Sequence, residues 1–262
     1  VSVRFFVGLH QPADAQHFDL ACISINRLRG RKKPVECDEV LVDSAAFTEL
    51  DRHGYYRHGV EVYAAELRRL HAAGVVKIAA AVAQDYMCEP FMLAKTQETG
   101  TSDGTVADHQ RLTIERYDAL IAEGLPFPVL PVLQGYAPRE YQDHIRAYGD
   151  RLTFGMWVGV GSVCKRNGDP EKIVEVLSAI HALRPDLRLH GFGIKQTSLE
   201  HPGVRDLLHS ADSMAWSFAA RRQGRNGNCW KEAKGFADRV QEAASKAFDA
   251  WQMPLPLWRA AA

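Results

Sequence analysis

Apolar positions along the chain follow two rhythms. Short β-rich runs at residues 3–9, 20–25, 39–43, 75–83, 128–133, 153–160, 187–193 and 213–218 read as strands. Between several of them, apolar residues recur at helical spacing. The stretch 60–73 stops at Gly74, and 106–123 carries Leu112, Tyr117, Leu120 and Ile121 before Gly124; both glycines suit a helix C-terminus. Helices are also expected at 138–148, 169–183 and 204–209, the second of these opening with an N-cap and proline in Asp169-Pro170-Glu171. A last helix is expected at 235–251. Eight strands alternating with helices predict an α/β fold, a (β/α)8 TIM barrel. No linker, repeat or composition break divides the chain, so residues 1–262 are expected to form one domain. An open doubly wound sheet would carry a glycine-rich phosphate turn after its first strand, and Val7-Gly8-Leu9-His10-Gln11-Pro12 is not one. Gly159-Val160-Gly161-Ser162 lacks the third glycine of that fingerprint.

In such a barrel, function gathers where strands end. The predicted ends hold Asp43-Ser44, Gln84-Asp85, Gln134-Gly135, residues 159–162 and residues 193–195, with Asp212 at the start of the last strand. Each has a structural explanation. Asp43 or Ser44 would cap a helix, Asp85 would sit in a turn, Gln134 would satisfy a buried backbone group, and the glycines would serve tight turns. Their recurrence at one rim favours a site.

Six segments, in order, resemble the tRNA-guanine transglycosylases. Leu41-Val42-Asp43-Ser44-Ala45-Ala46-Phe47 resembles the family's Asp-Ser-Gly-Gly-Phe/Tyr, and Gln84-Asp85-Tyr86-Met87-Cys88 the segment with its base-recognising Asp. Val132-Leu133-Gln134-Gly135 is similar to Val-Gln-Gly-Gly, residues 158–163 to the Gly-Gly-Leu loop, and Leu189-His190-Gly191-Phe192-Gly193 to Leu-Met-Gly-Val-Gly. Arg225-Asn226-Gly227 resembles the end of the Arg-x-Gly-Arg-Asn-Gly that follows the nucleophile. The resemblance implies a barrel that exchanges guanine for a 7-deazaguanine through a covalent carboxylate–sugar intermediate, without a cofactor. Asp43 would manage protons. Ser44, Phe47, Asp85, Gln134, Gly135, Gly159, Gly161 and Gly193 would form the base pocket.

Two departures refine that expectation. In an ungapped alignment Ala215 stands where the family's nucleophilic Asp stands, and Asp212 lies three positions upstream. Asp212 is therefore the candidate nucleophile, with Asp43 the alternative; a barrel that binds without catalysis is the other reading. An unrelated barrel enzyme with a phosphate site at residues 193–195 is a third. The zinc-binding insertion of the tRNA enzymes is also missing, since Cys229 stands alone. The chain thus looks most like the bacterial and phage branch, the DpdA type, that places 7-deazaguanines such as preQ0 in DNA.

Charge and cysteine content fit this picture only locally. The 32 basic and 32 acidic residues balance, so nucleic acid would have to be held by a patch rather than the whole surface. Arg27 and Arg29 lie in one basic run, and Arg221, Arg222 and Arg225 in another; both are expected as loops, at 26–34 and 221–228, beside one side of the mouth. Five scattered cysteines form no Cys-x-x-Cys pair, which argues against a disulfide framework and a thiolate metal site. No apolar run approaches the roughly 20 residues needed to span a bilayer, so a cytoplasmic protein is expected. Expected partners are DNA rather than tRNA and a 7-deazaguanine base, with an accessory subunit or a homodimer left open.

Overall fold

The computed structural model describes residues 3–166 and 168–251. Among the described residues nine strand segments, all parallel, form one closed cylinder. Two of the segments, Val129–Leu130 and Val132–Leu133, are halves of a single stave interrupted by Pro131. Pro131 has no N–H for the ladder, yet its carbonyl still accepts from the Gly159 N–H at 2.8 Å. The barrel therefore has eight staves: β1 Arg4–Gly8, β2 Leu20–Ser24, β3 Glu39–Asp43, β4 Ile78–Val82, the two-part β5, β6 Trp157–Val160, β7 Arg188–Gly191 and β8 Ser210–Ser213. The first half of β5 pairs with β4 and the second with β6, while β8 pairs with β1 and closes the circle.

Helices wrap this cylinder. Pro90, Pro138, Pro170 and Pro202 each open one, where a missing N–H costs nothing. Gly74 and Gly124 end two others in the left-handed conformation (φ +62° in both). Inside the barrel, Phe6, Cys22, Leu41, Val82, Leu130 and Val132 fill the space with Trp157 and Phe192 packed against them. Arg4 closes the end where strands begin, 5.3 Å from the Phe6 ring and paired with Glu39 at 2.6 Å.

One predicted strand is misplaced. Residues 213–218 were expected as the last strand, but the stave beside β1 is Ser210–Ser213 and the chain then enters the helix Ala215–Arg222. The polar stretch Ser-Ala-Asp-Ser hides the strand because two of its side chains, Ser210 and Asp212, line a polar part of the interior. The apolar residues after it belong to a helix started by the Ser213 hydroxyl, which accepts from the Ala215 N–H at 3.2 Å. Asp212 consequently sits near the end of a strand rather than at its start. The helices Ala46–His53 and Pro90–Glu98 stand where none was expected, and the helix expected at 204–209 is the shorter Pro202–Arg205. Among the described residues no helix is long and apolar enough to cross a membrane.

Candidate active site

The last residues of the staves meet above the interior core. Asp43 ends β3 two positions after inward-facing Leu41, so it shares that face. Asp212 on β8 faces the same space. Between them on β2 lies Cys22, whose thiol is pushed well up by burial and by the charges of Asp212 and Asp43. Burial and the Asp212 charge raise the Asp43 carboxyl to about 6, opposed by the Ala45 N–H that it accepts at 3.0 Å. Asp43 therefore also serves its turn, as the structural explanation supposed.

Asp212 is held through one oxygen. Its Oδ1 accepts from the Gly193 N–H at 3.1 Å and lies 3.3 Å from His190 Nε2. The other ring nitrogen of His190 is 2.9 Å from Ser210 Oγ, which accepts the Trp157 indole N–H at 2.8 Å. An indole only donates, so the Ser210 proton is free to go to His190 Nδ1. With that proton on Nδ1's side, a proton on His190 Nε2 is aimed at the carboxylate. The hydrogen bonds of Asp212 among the described residues all fall on Oδ1, and the residue keeps 9% of its surface exposed.

A second wall comes from β4, β5 and the turn after β6. Asp85, Gln134 and Ser162 are all buried. The Gln134 amide donates to Asp85 Oδ2 and accepts the Ser162 hydroxyl at 2.9 Å. Burial raises Asp85 to about 7 against the pull of Gln134, with Asp43 and Glu89 adding to the rise. Glu89 is the unexpected member: it is 2% exposed, and neither oxygen has a hydrogen-bond partner among the described residues. Ser162 faces it but gives its proton to Gln134, and burial pushes the Glu89 carboxyl up. Ala45 (φ 68°) and Ser162 (φ 56°) are the non-glycine residues with left-handed backbone among those described, and both line this mouth.

The remaining residues expected at the site divide. Ser44 is buried beside Asp43, its hydroxyl without a partner among the described residues. Gly161 lies against the Gln134 side chain, where an added Cβ would stand 2.2 Å from Nε2. Gly193 (φ +65°) supplies its N–H to Asp212. Gly159 lies instead under the Phe192 ring, and Gly135 packs on Glu140 and Tyr141. Both serve close packing. Phe47 stands exposed on the rim.

The two basic runs do meet. Arg27 and Arg221 both press on His10, whose ring is held low by burial and then by these charges. Neither run is wholly loop: Arg27 lies on the turn Ile25–Leu28, and Arg221 and Arg222 end the helix Ala215–Arg222. Arg29 turns back to Asn26 at 3.4 Å, Arg222 covers Phe218, and Arg225 is committed to Glu232 at 2.6 Å.

His190, Glu89 and the Ser162 hydroxyl are members of the site that the sequence pattern does not single out. The signal for His190 was its place three residues before the rim glycine Gly193, opposite Ser210 in register. Taken together, the mouth offers one carboxylate oriented by donors, a second carboxyl able to exchange a proton near neutrality, and a carboxyl–amide pair. This is a set suited to displacement at a sugar carbon and to reading a purine edge. A family model described as DpdA, DeoxyPurine in DNA protein A, matches residues 2–261. No curated protein matches the chain.

Proposed function

The chain belongs to the DpdA family, and from that membership we propose a base-exchange transglycosylase that replaces guanine in DNA by a 7-deazaguanine such as preQ0. The family supports a DNA-modifying transferase. The observation that carries the finer reading is the pairing of Asp212, held by donors on one oxygen, with Asp43, raised to about 6, in one mouth.

In this reading Asp212 Oδ2 attacks the anomeric carbon of the target nucleotide, and the bond from that carbon to guanine breaks. Guanine leaves with the bonding pair and takes the proton of neutral Asp43. The incoming 7-deazaguanine then gives its ring N–H proton to Asp43 while that nitrogen attacks the same carbon and displaces Asp212. Protons balance over the cycle. His190 and the Gly193 N–H orient the nucleophile, and Asp85 with Gln134 reads the base, since a carboxylate beside an amide complements the donors and the carbonyl of guanine. Gly161 lets the base approach, Ser44 sits beside Asp43, and Arg27 with Arg221 meets phosphates. The reading treats residues 1–262 as one transglycosylase domain. Ala215 does not weigh against it, because the carboxylate three residues earlier reaches the rim.

Incubation with guanine-containing DNA and a labelled 7-deazaguanine tests the proposal. The expected result is incorporation by the unaltered protein, with a covalent DNA adduct that Asp212→Asn abolishes. An adduct surviving in that variant moves the nucleophile to Asp43. Binding without incorporation, on single and double strands alike, overturns the exchange reading in favour of a binding barrel.

A further inference from the structure

We propose that the rim of the mouth above β3 to β6 is a platform for unpaired nucleotides, so that the DNA flanking the target guanine is taken up single-stranded. The inference rests on the DNA reading above and adds the state of the polymer and the surface that selects it.

Four successive strand-end segments build this rim. Phe47 follows β3, Phe91 follows β4, Tyr136 follows β5, and Lys165 with Arg166 follows β6. The three aromatic rings are 45%, 44% and 47% exposed, although each is large enough to anchor a core. Cations are interleaved with them. Lys165 Nζ stands 5.2 Å from the ring centres of both Phe47 and Phe91, and the Arg166 guanidinium 5.0 Å from that of Tyr136. Arg166 is further fixed by donating to the Tyr136 carbonyl. Neither cation forms a salt bridge among the described residues, unlike Arg225 and Lys234 on the other side of the molecule.

Exposed rings and unpaired cations suit one polymer in particular. Every base has a face that can stack on an aromatic ring, and every phosphate is neutralised by a nearby cation, so the combination holds a strand without reading its sequence. In a duplex those faces are already stacked on one another. Arg27, after β2, and Arg221, in the helix after β8, add charge from the remaining staves of the rim. A strand entering over these arginines would drop its guanine between Asp43 and Asp212 and rest the following bases on Phe91 and Tyr136.

Anisotropy titrations with a fluorescent guanine-containing oligonucleotide, single-stranded or in a duplex, test this with Phe91→Ala and Tyr136→Ala. Phe154→Ala, altering a 91% exposed ring before β6, is the control. Each platform variant is expected to weaken single-strand binding by at least about fivefold and duplex binding far less. The melting temperature and the control should not change. Single-strand affinity equal to that of the unaltered protein, or equal weakening for both polymers, overturns the platform. Retained affinity with loss of a protein partner in pull-downs would reassign the surface to that partner, and also overturns it. Guanine exchange on limiting single-stranded DNA that is undiminished in the platform variants refutes the platform alone, whereas absence of exchange by the unaltered protein on any DNA refutes the parent reading.

Discussion

The two ends of the barrel treat acidic side chains in opposite ways. Where the strands begin, acids meet arginines. Glu39 pairs with Arg4, Glu123 with Arg68, and Asp186 accepts two bonds from Arg184 that hold its carboxyl below the usual range. Where the strands end, Asp43 is half-buried and Asp85 and Glu89 are buried, none with a salt bridge among the described residues, and desolvation drives all three upward. The contrast sharpens at Glu49, in the helix just outside the mouth, where Arg57 holds the carboxyl down to about 2. Lys165 and Arg166 act on Glu89 only from a distance, and burial still outweighs them. Acids left in that condition weaken the fold, so their retention points to chemistry.

The largest test of this contrast is to neutralise two acids at the mouth and one at the opposite end. Asp85→Asn and Asp43→Asn should each lower exchange by at least about 100-fold. Both should also make the protein more stable at pH 8. A carboxyl whose folded pKa is raised binds its proton more tightly in the native state, so stability falls as pH rises between the unfolded and folded values. For Asp85 that window runs from 3.8 to about 7, and the full penalty is up to about 4 kcal/mol at pH 8, vanishing near pH 4. Asp186→Asn should do the reverse, costing about 1–2 kcal/mol and sparing exchange. Its contribution is present at neutral pH and lost as pH falls through its depressed folded value. Urea denaturation at pH 5 and pH 8 reads both, and a destabilised Asp85→Asn at pH 8 would break the comparison.

A smaller effect is expected at His190, which donates to the mouth but is itself packed among Phe6, Trp157 and Phe192. His190→Leu should lower the rate of adduct formation about 10-fold or more, while leaving the affinity for DNA unchanged, because Asp212 loses a donor but not its place on β8. Single-turnover kinetics separates the two. Loss of DNA affinity with an unaltered chemical step would remove His190 from the orienting role.

The legibility of these features in the sequence follows from how local each one is. Seven staves and Asp43 were visible because apolar runs mark buried strands and the residue ending a run marks the rim. Pro131 lay inside a predicted strand without hiding it, since the carbonyl side of the ladder survives. The last stave was not visible because its inward side chains are Ser210 and Asp212, polar by virtue of the site itself. Likewise the relation of His190 to Asp212 is set by pairing across β7 and β8 rather than by spacing along the chain. The exposed rings of Phe91 and Tyr136 were unremarkable one at a time. Their significance depends on four segments distant in sequence ending at one rim.

The smallest expected effect concerns the backbone. Ala45 takes φ 68°, a conformation that costs a residue with a side chain about 1–2 kcal/mol. Its N–H is thereby aimed at Asp43. Ala45→Gly removes that strain but adds about 0.5–1 kcal/mol of unfolded-chain freedom, so the net change should be a gain of up to about 1 kcal/mol. Ala73 caps the helix Val60–Ala72 at the opposite end of the barrel with φ −84°, so Ala73→Gly relieves nothing and should lose about 0.5–1 kcal/mol. The same substitution thus changes sign between the two ends. Matched denaturant titrations of the two variants decide it, and equal losses would mean that the turn at Ala45 carries no strain. With strain present, Ala45→Gly should also slow exchange slightly, because a looser turn no longer holds the N–H on Asp43 in the position that keeps its carboxyl near 6 rather than higher.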